Sequence, residues 1–324
     1  MRRTHGELVL PGTAFLTFTL AVVMLTLVVF AGPAQAVTTW FDDFSDGNAE
    51  DGNPLTWVPH PALPGDYNAT SGNYILTPGF GASDDDAMAS SVEATTFTDA
   101  SVRTRARTVM AGNVGVIARM DFATVNGYIG LVDSGSNLIM SRVEGGVRSD
   151  EFDFQINFEE LSAEEDLIIQ LDVMGDSVGL SAWRPGDPQP EPQVVGTDPA
   201  FTTGTAGLIF AEDEDLASGI FYWVTAASAR IVNGDVNFDG DVNGLDVDPF
   251  VAAVLGGGYA APADMNGDGA VDGLDVDPFV AAVVGGGVAA SPLDVAGVPE
   301  PSTLVLALIA VVGAACCAMR RHSS

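Results

Sequence analysis

Two twelve-residue stretches concentrate oxygen. DVNFDGDVNGLD, residues 235–246, holds four aspartates, two asparagines and two glycines, and DMNGDGAVDGLD, residues 264–275, repeats the pattern 29 residues later. Counted from the first aspartate, positions 1, 3, 5, 9 and 12 are Asp235, Asn237, Asp239, Asn243 and Asp246 in one stretch. They are Asp264, Asn266, Asp268, Asp272 and Asp275 in the other. Calcium is a hard cation that takes six to eight oxygens, and an EF-hand loop supplies them at positions 1, 3, 5, 7, 9 and 12. Position 7 offers its backbone carbonyl, so Asp241 and Ala270 can differ there. Gly240 and Gly269 at position 6 allow the sharp turn around the ion. The pattern therefore predicts two calcium sites.

The elements that must hold these loops follow in the sequence. PFVAAV comes after each loop and has helical character, with no comparable stretch before it. Proline suits the first turn of a helix, so Pro249 and Pro278 place the helix starts at Asp248 and Asp277. Val242 and Val271, at position 8, are expected to pair the two loops and to face a small core. From the first aspartate through GGG the two units are identical at 19 of 24 positions. One unit cannot bury its apolar face alone, so the two must pack together.

A duplicated half EF-hand with aspartate rather than glutamate at position 12 resembles the type I dockerin domain. The resemblance implies a cohesin-like or other protein partner, chosen in part by positions 10 and 11. Those are Gly244 and Leu245 in the first loop and Gly273 and Leu274 in the second. They are small or apolar, not hydroxyl-bearing, which departs from the familiar cohesin specificities.

The rest of the composition narrows the chemistry. The chain has 324 residues and a formal charge of −32, and all twelve of its basic residues are arginine. A surface this acidic is a poor partner for nucleic acid, whose phosphates need a basic face. Both cysteines, Cys316 and Cys317, lie in an apolar tail, so the body has neither a disulfide framework nor a cysteine-ligated metal. His60 is the one histidine away from the termini, in the proline-rich run VPHPALPG, and no nucleophile motif accompanies it.

Both ends read as addresses. Residues 1–36 carry two arginines, a long apolar run and Ala34-Gln35-Ala36, the form of a cleaved secretory signal peptide. Residues 291–302 form a linker that contains Pro299, Glu300 and Pro301. Residues 303–319 are apolar and uncharged, at the short end of what spans a bilayer. Arg320 and Arg321 open the basic tail, 320–324, which the positive-inside rule leaves in the cytoplasm. This order resembles the PEP-CTERM sorting signal, which implies processing by an exosortase-type membrane protease. The body between the two ends is expected outside the cell, on the surface or in the envelope, with the C-terminal segment in the membrane before processing.

Residues 37–230 are short β-type runs separated by Gly, Asn, Asp and Pro, which argues for an antiparallel sandwich or barrel. SVRTRARTV alternates, with Arg103, Arg105 and Arg107 on one side and Val102, Thr104, Ala106 and Thr108 on the other. The segment resembles concanavalin A-like and laminin G-like jelly rolls through WFDDFSDGNAEDGNPLTW, GNVGVIARM, NGYIGLV and LSAWRPGDPQPEPQ. The expected architecture is mainly β: a jelly-roll sandwich over 37–230, a small helical calcium-binding pair over 231–290, and apolar helices at the termini. The resemblance implies a glycan or protein ligand for the sandwich. It also implies one further calcium near the rim, for which the acidic runs 84–86 and 212–215 are candidates. Trp57 and Trp183 border polar turns and are the candidate sugar-stacking residues, whereas Trp40 and Trp223 lie in apolar runs and belong to the core. Glu159, Glu160, Glu164, Glu165 and Asp166 read as a solvated loop.

Three functions stay open at this point. The first is an exported, non-catalytic binding protein with calcium-dependent docking, within extracellular polysaccharide catabolism. The second is a glycoside hydrolase. Jelly-roll glucanases carry Glu-x-Asp-x-x-Glu on one strand; here Glu151 and Asp153 are present and Ile156 takes the place of the last glutamate. A structural matrix or envelope protein is the third.

Overall fold

The structure, a computed structural model, describes residues 37–285, apart from 53, 61–64, 70–71, 79–86, 93–94, 158–160 and 213–216. The signal-peptide, linker, sorting-motif and C-terminal apolar segments lie outside the described residues, as do the acidic runs 84–86 and 213–215. Among the described residues no helix is long and apolar enough to cross a membrane.

In chain order the strands are β1 (Thr39–Asp42), β2 (Trp57–Pro59), β3 (Gly65–Asn68), β4 (Tyr74–Pro78), β5 (Ala87–Val92), β6 (Ala100–Val109), β7 (Gly112–Asp121) and β8 (Asn126–Asp133). They continue as β9 (Asn137–Glu144), β10 (Val147–Asn157), β11 (Leu167–Met174), β12 (Ser177–Trp183), β13 (Val194–Thr197), β14 (Thr205–Glu212) and β15 (Ser218–Ala227). They form two antiparallel sheets. The first runs β13-β12-β11-β6-β15-β4-β3, with β1 also on β15; the second runs β10-β9-β8-β7-β14-β5-β2. The fold is an antiparallel β-sandwich, as the alternating runs predict.

The strands divide by pattern as well as by sheet. On β6, Val102 and Ala106 point into the inter-sheet core, and Arg103 and Arg105 point to the outer face of the first sheet. The runs on β7, β8, β9 and β14 are apolar on both faces. Val114, Val116, Tyr128, Val132, Leu138, Met140, Leu208 and Phe210 belong to the inter-sheet core, while Ile117, Ile129, Leu131, Ile139 and Ile209 form a second cluster on the other face. Near-continuous apolar runs of this kind belong to strands covered on both sides.

Two helices follow the sandwich: α1 (Val247–Gly256) and α2 (Val276–Gly285). Each begins one residue before the start expected from its proline. Pro249 and Pro278 are the third residues of their helices, where an N–H has no intrahelical acceptor and its loss costs nothing. Gly257 ends α1 at φ +65° and donates its N–H to Ala253 O, an αL cap that favours glycine.

Candidate calcium loops and the face they occupy

The carboxylates at loop positions 1 and 12 are buried in both units: Asp235 and Asp246, Asp264 and Asp275. They close the loops from inside. Asp235 accepts the N–H of Asp239 and of Gly240, each at 3.0 Å, and Asp246 accepts those of Asn237 (3.1 Å) and Asn243 (2.9 Å). The second loop repeats the arrangement. Asp264 accepts from Asp268 (3.2 Å) and Gly269 (3.0 Å), and Asp275 from Asn266 (3.2 Å) and Asp272 (2.9 Å). Asn237 and Asn266 at position 3 each accept a bond from the position-5 N–H at 2.8 Å. Gly240 and Gly269 have the same φ of +93°. At position 4 the backbone is also left-handed, φ +57° at Phe238 and +72° at Gly267.

The donor chemistry fits a hard cation. Between Ile231 and Gly285 there are ten aspartates and no lysine, arginine or histidine. Burial pushes the Asp235 and Asp264 carboxyls up to about 6, with the neighbouring loop aspartates adding to the rise. Burial raises Asp275 as well. These groups hold negative charge in a place that disfavours it, which a divalent ion would relieve. Among the described residues no three His, Cys, Asp or Glu side chains converge as a metal cluster. An EF-hand-type loop, by contrast, takes part of its oxygens from asparagine and main-chain carbonyls.

The position-8 valines have different surroundings. Val242 packs toward Gly234, and Val271 joins the small core around Phe250, Ala263 and Phe279. The two units are joined by Phe250 on Phe279, parallel with centroids 3.8 Å apart. Above that stack lies a groove of about 370 Å³ between α1 and α2, lined by apolar side chains including Val247, Val251, Leu255, Val276, Val280 and Val284. Leu255 and Val284 are 82% and 81% exposed, and Leu245 and Leu274 at position 11 are 68% and 67% exposed. Gly244 and Gly273 beside them are exposed too. The candidate partner residues are thus exposed in both units.

The opposite side of the loop pair rests on the outer face of the first sheet. Arg103, buried on β6, directs Nε to Gln170 Oε1 (2.7 Å), Nη1 to Asn233 Oδ1 (2.7 Å) and Nη2 to Ile231 O (3.0 Å). Burial pulls its guanidinium down to about 10. Beside it the buried Asp172 carboxylate accepts from Gln170 Nε2 and from Arg230, and its acidity is weakened chiefly by burial. The Tyr259 ring stacks on Phe41 at 3.5 Å. Sequence patterning places Arg103 on the polar face of β6; nothing in it signals that this face is covered.

Three other expectations change. Trp57 is buried, its Nε1 donating to Asp42 at 2.8 Å, and Trp183 is buried with Ile168 and Trp223 beneath Arg103. Neither indole offers an open face to a sugar, because the polar turns beside them belong to the loops while the rings turn inward. Glu165 and Asp166 are ion-paired, with Arg184 and Arg105 respectively, rather than simply solvated. Glu151 projects from the exposed side of β10 and pairs with Arg142 at 2.9 Å; Asp153 pairs with Arg148. His60 is buried edge-on to Phe122.

No family model and no curated protein matches the chain. Similar solved structures include a carbohydrate binding module from Bacillus subtilis, at 16% identity over 51% of this chain and 91% of that one, TM-score 0.40. A β-1,3-1,4-glucanase from a mouse hindgut metagenome matches at 10% identity over 58% and 98%, TM-score 0.42. The Ca2+/Man3GlcNAc-bound lumenal domain of VIP36 matches at 10% identity over 62% and 92%, TM-score 0.44.

Proposed function

We propose that this is an exported, non-catalytic binding protein of the cell surface, with a calcium-dependent docking module carried on a β-sandwich. The observation that carries the reading is the repetition, residue for residue, of the hydrogen bonds that fold the two loops around their buried carboxylates. Asp235, Asn237, Asp239, Asn243 and Asp246, with Asp241 O, would hold one ion. Asp264, Asn266, Asp268, Asp272 and Asp275, with Ala270 O, would hold the other. Bound calcium supplies the positive charge that lets each loop keep its carboxylates ionised and close together. The closed loops then fix α1 and α2 side by side and present the apolar groove, with Leu245 and Leu274, to a protein partner. No basic side chain occurs in this segment, so a partner with an apolar ridge and a basic rim fits it best. Cohesin-like surfaces are the class that the dockerin resemblance brings forward.

The export and sorting signals support a position outside the membrane, and the sandwich would there carry a glycan or protein ligand. Capture of this chain by calcium-loaded partner candidates, lost in chelator and in a Leu245→Asp/Leu274→Asp variant, tests the docking role. Capture that ignores chelator contradicts it. A polysaccharide pull-down with product analysis tests the sandwich. Retention without product agrees with a binding module, and released sugar would make the protein a hydrolase.

A further inference from the structure

The two loops are alike inside and unlike outside. A Cβ placed on Gly240 would meet nothing within 4 Å, whereas one on Gly269 would lie 2.6 Å from Trp223 Cδ1 and one on Gly267 2.1 Å from Ile168 Cδ1. The second loop therefore lies flat on the sandwich. Asn266 O accepts the N–H of Gly186 at 2.8 Å, from the turn after β12. Tyr259 clamps the loop from the other side, its ring on Phe41 and its hydroxyl donating to Asp264 Oδ2 at 3.2 Å. The first loop has Arg230 at the corresponding place, five residues before its first aspartate, and its Asn237 and Gly240 are exposed where Asn266 and Gly269 are half-buried. Phe238 of the first loop helps line a cavity of about 260 Å³ with Phe41 and Tyr259, and Val242 helps line another with Gly186, Asp187 and Gln189. The second loop also carries a carboxylate at position 9, Asp272, where the first has Asn243.

Resting on the calcium reading above, we propose that the two sites have different roles. The second loop is the fastening between the docking module and the sandwich, and it holds its cation tightly as part of that interface. The first loop stays open and exchanges its cation with the surroundings. Ligand charge and rigidity both raise calcium affinity, and the second loop has more of each. Tyr259 acts as a positioning residue for Asp264, and outer hydrogen-bond partners of metal ligands are worth roughly 10–100-fold in affinity.

The test is a calcium titration of the whole protein, followed by calorimetry and by tryptophan fluorescence, since Trp223 lies against Gly269. Two unequal binding events are expected, with the fluorescence change confined to the tighter one. Asp235→Asn should remove the weaker event and leave the tryptophan response in place. Asp264→Asn should remove the tighter event and the response together. Tyr259→Phe keeps the ring and loses the hydroxyl. It should weaken the tighter event and shift the fluorescence midpoint together, by roughly tenfold or more, with the weaker event unmoved. Two matched sites, a tryptophan response that follows the weaker event, or a Tyr259→Phe variant that moves both events equally would overturn this inference and leave the calcium reading standing. Failure of the protein to bind calcium at all overturns both.

Discussion

Gly240 and Gly269 share a backbone conformation and differ in surroundings, so together they separate strain from packing. Alanine at φ +93° costs about 1–3 kcal/mol in strain at either position. At Gly269 the added Cβ must also displace the Trp223 indole, a further cost of about 1–3 kcal/mol. Urea denaturation in calcium should therefore find Gly269→Ala the more destabilising, and equal losses would contradict the packing. The same residues set a pH dependence. The Asp235 and Asp264 carboxyls are raised to about 6 from 3.8, so without calcium the folded chain binds protons more tightly than the unfolded one. In chelator, the stability these two groups contribute is full below about pH 4 and is lost as the pH rises through about 6. With calcium, which needs the ionised carboxylates, that loss should disappear. Thermal melts that show no such difference between chelator and calcium would contradict the assignment. The sharp glycine turn at position 6 was legible in the sequence, because spacing specifies it. Trp57 and Trp183 were not: a polar neighbour along the chain says little about which way a large ring turns.

At the scale of elements, period decides most of the outcome. Alternation on β6 and the continuous apolar runs on β7, β8, β9 and β14 were legible as strands. The second apolar face appears only when those strands lie side by side. The helices begin one residue earlier than their prolines suggest, since the first turn of a helix needs no N–H donors from that position. The two units meet through Phe250 stacked on Phe279, a contact the sequence did not single out. Truncating a buried phenylalanine costs about 3–5 kcal/mol. In the small core around this stack, Phe250→Ala should abolish the calcium-dependent helical signal in circular dichroism while leaving the β-sheet signal. A variant that keeps full calcium-induced helicity would show that the two units do not depend on one another.

At the scale of the whole molecule, the sequence divides the chain by composition, with an alternating β segment followed by an acidic repeat. What it does not convey is that Arg103, Gln170 and Asp172 on one sheet are buried beneath Ile231, Asn233 and Ala261 of the other segment. Pairings across more than sixty residues leave no local trace. They make the sandwich the seat of the loop pair and leave the apolar groove between α1 and α2 turned outward for a partner. The docking role rests on calcium in the paired loops. The most direct measurement is calorimetric titration of the whole, metal-free protein with calcium, repeated after substituting Asp235 and Asp264 together with asparagine. Two calcium ions per chain are expected, with loss of both in the double variant. Heats no greater than dilution, or binding that survives the double substitution, would contradict the calcium assignment.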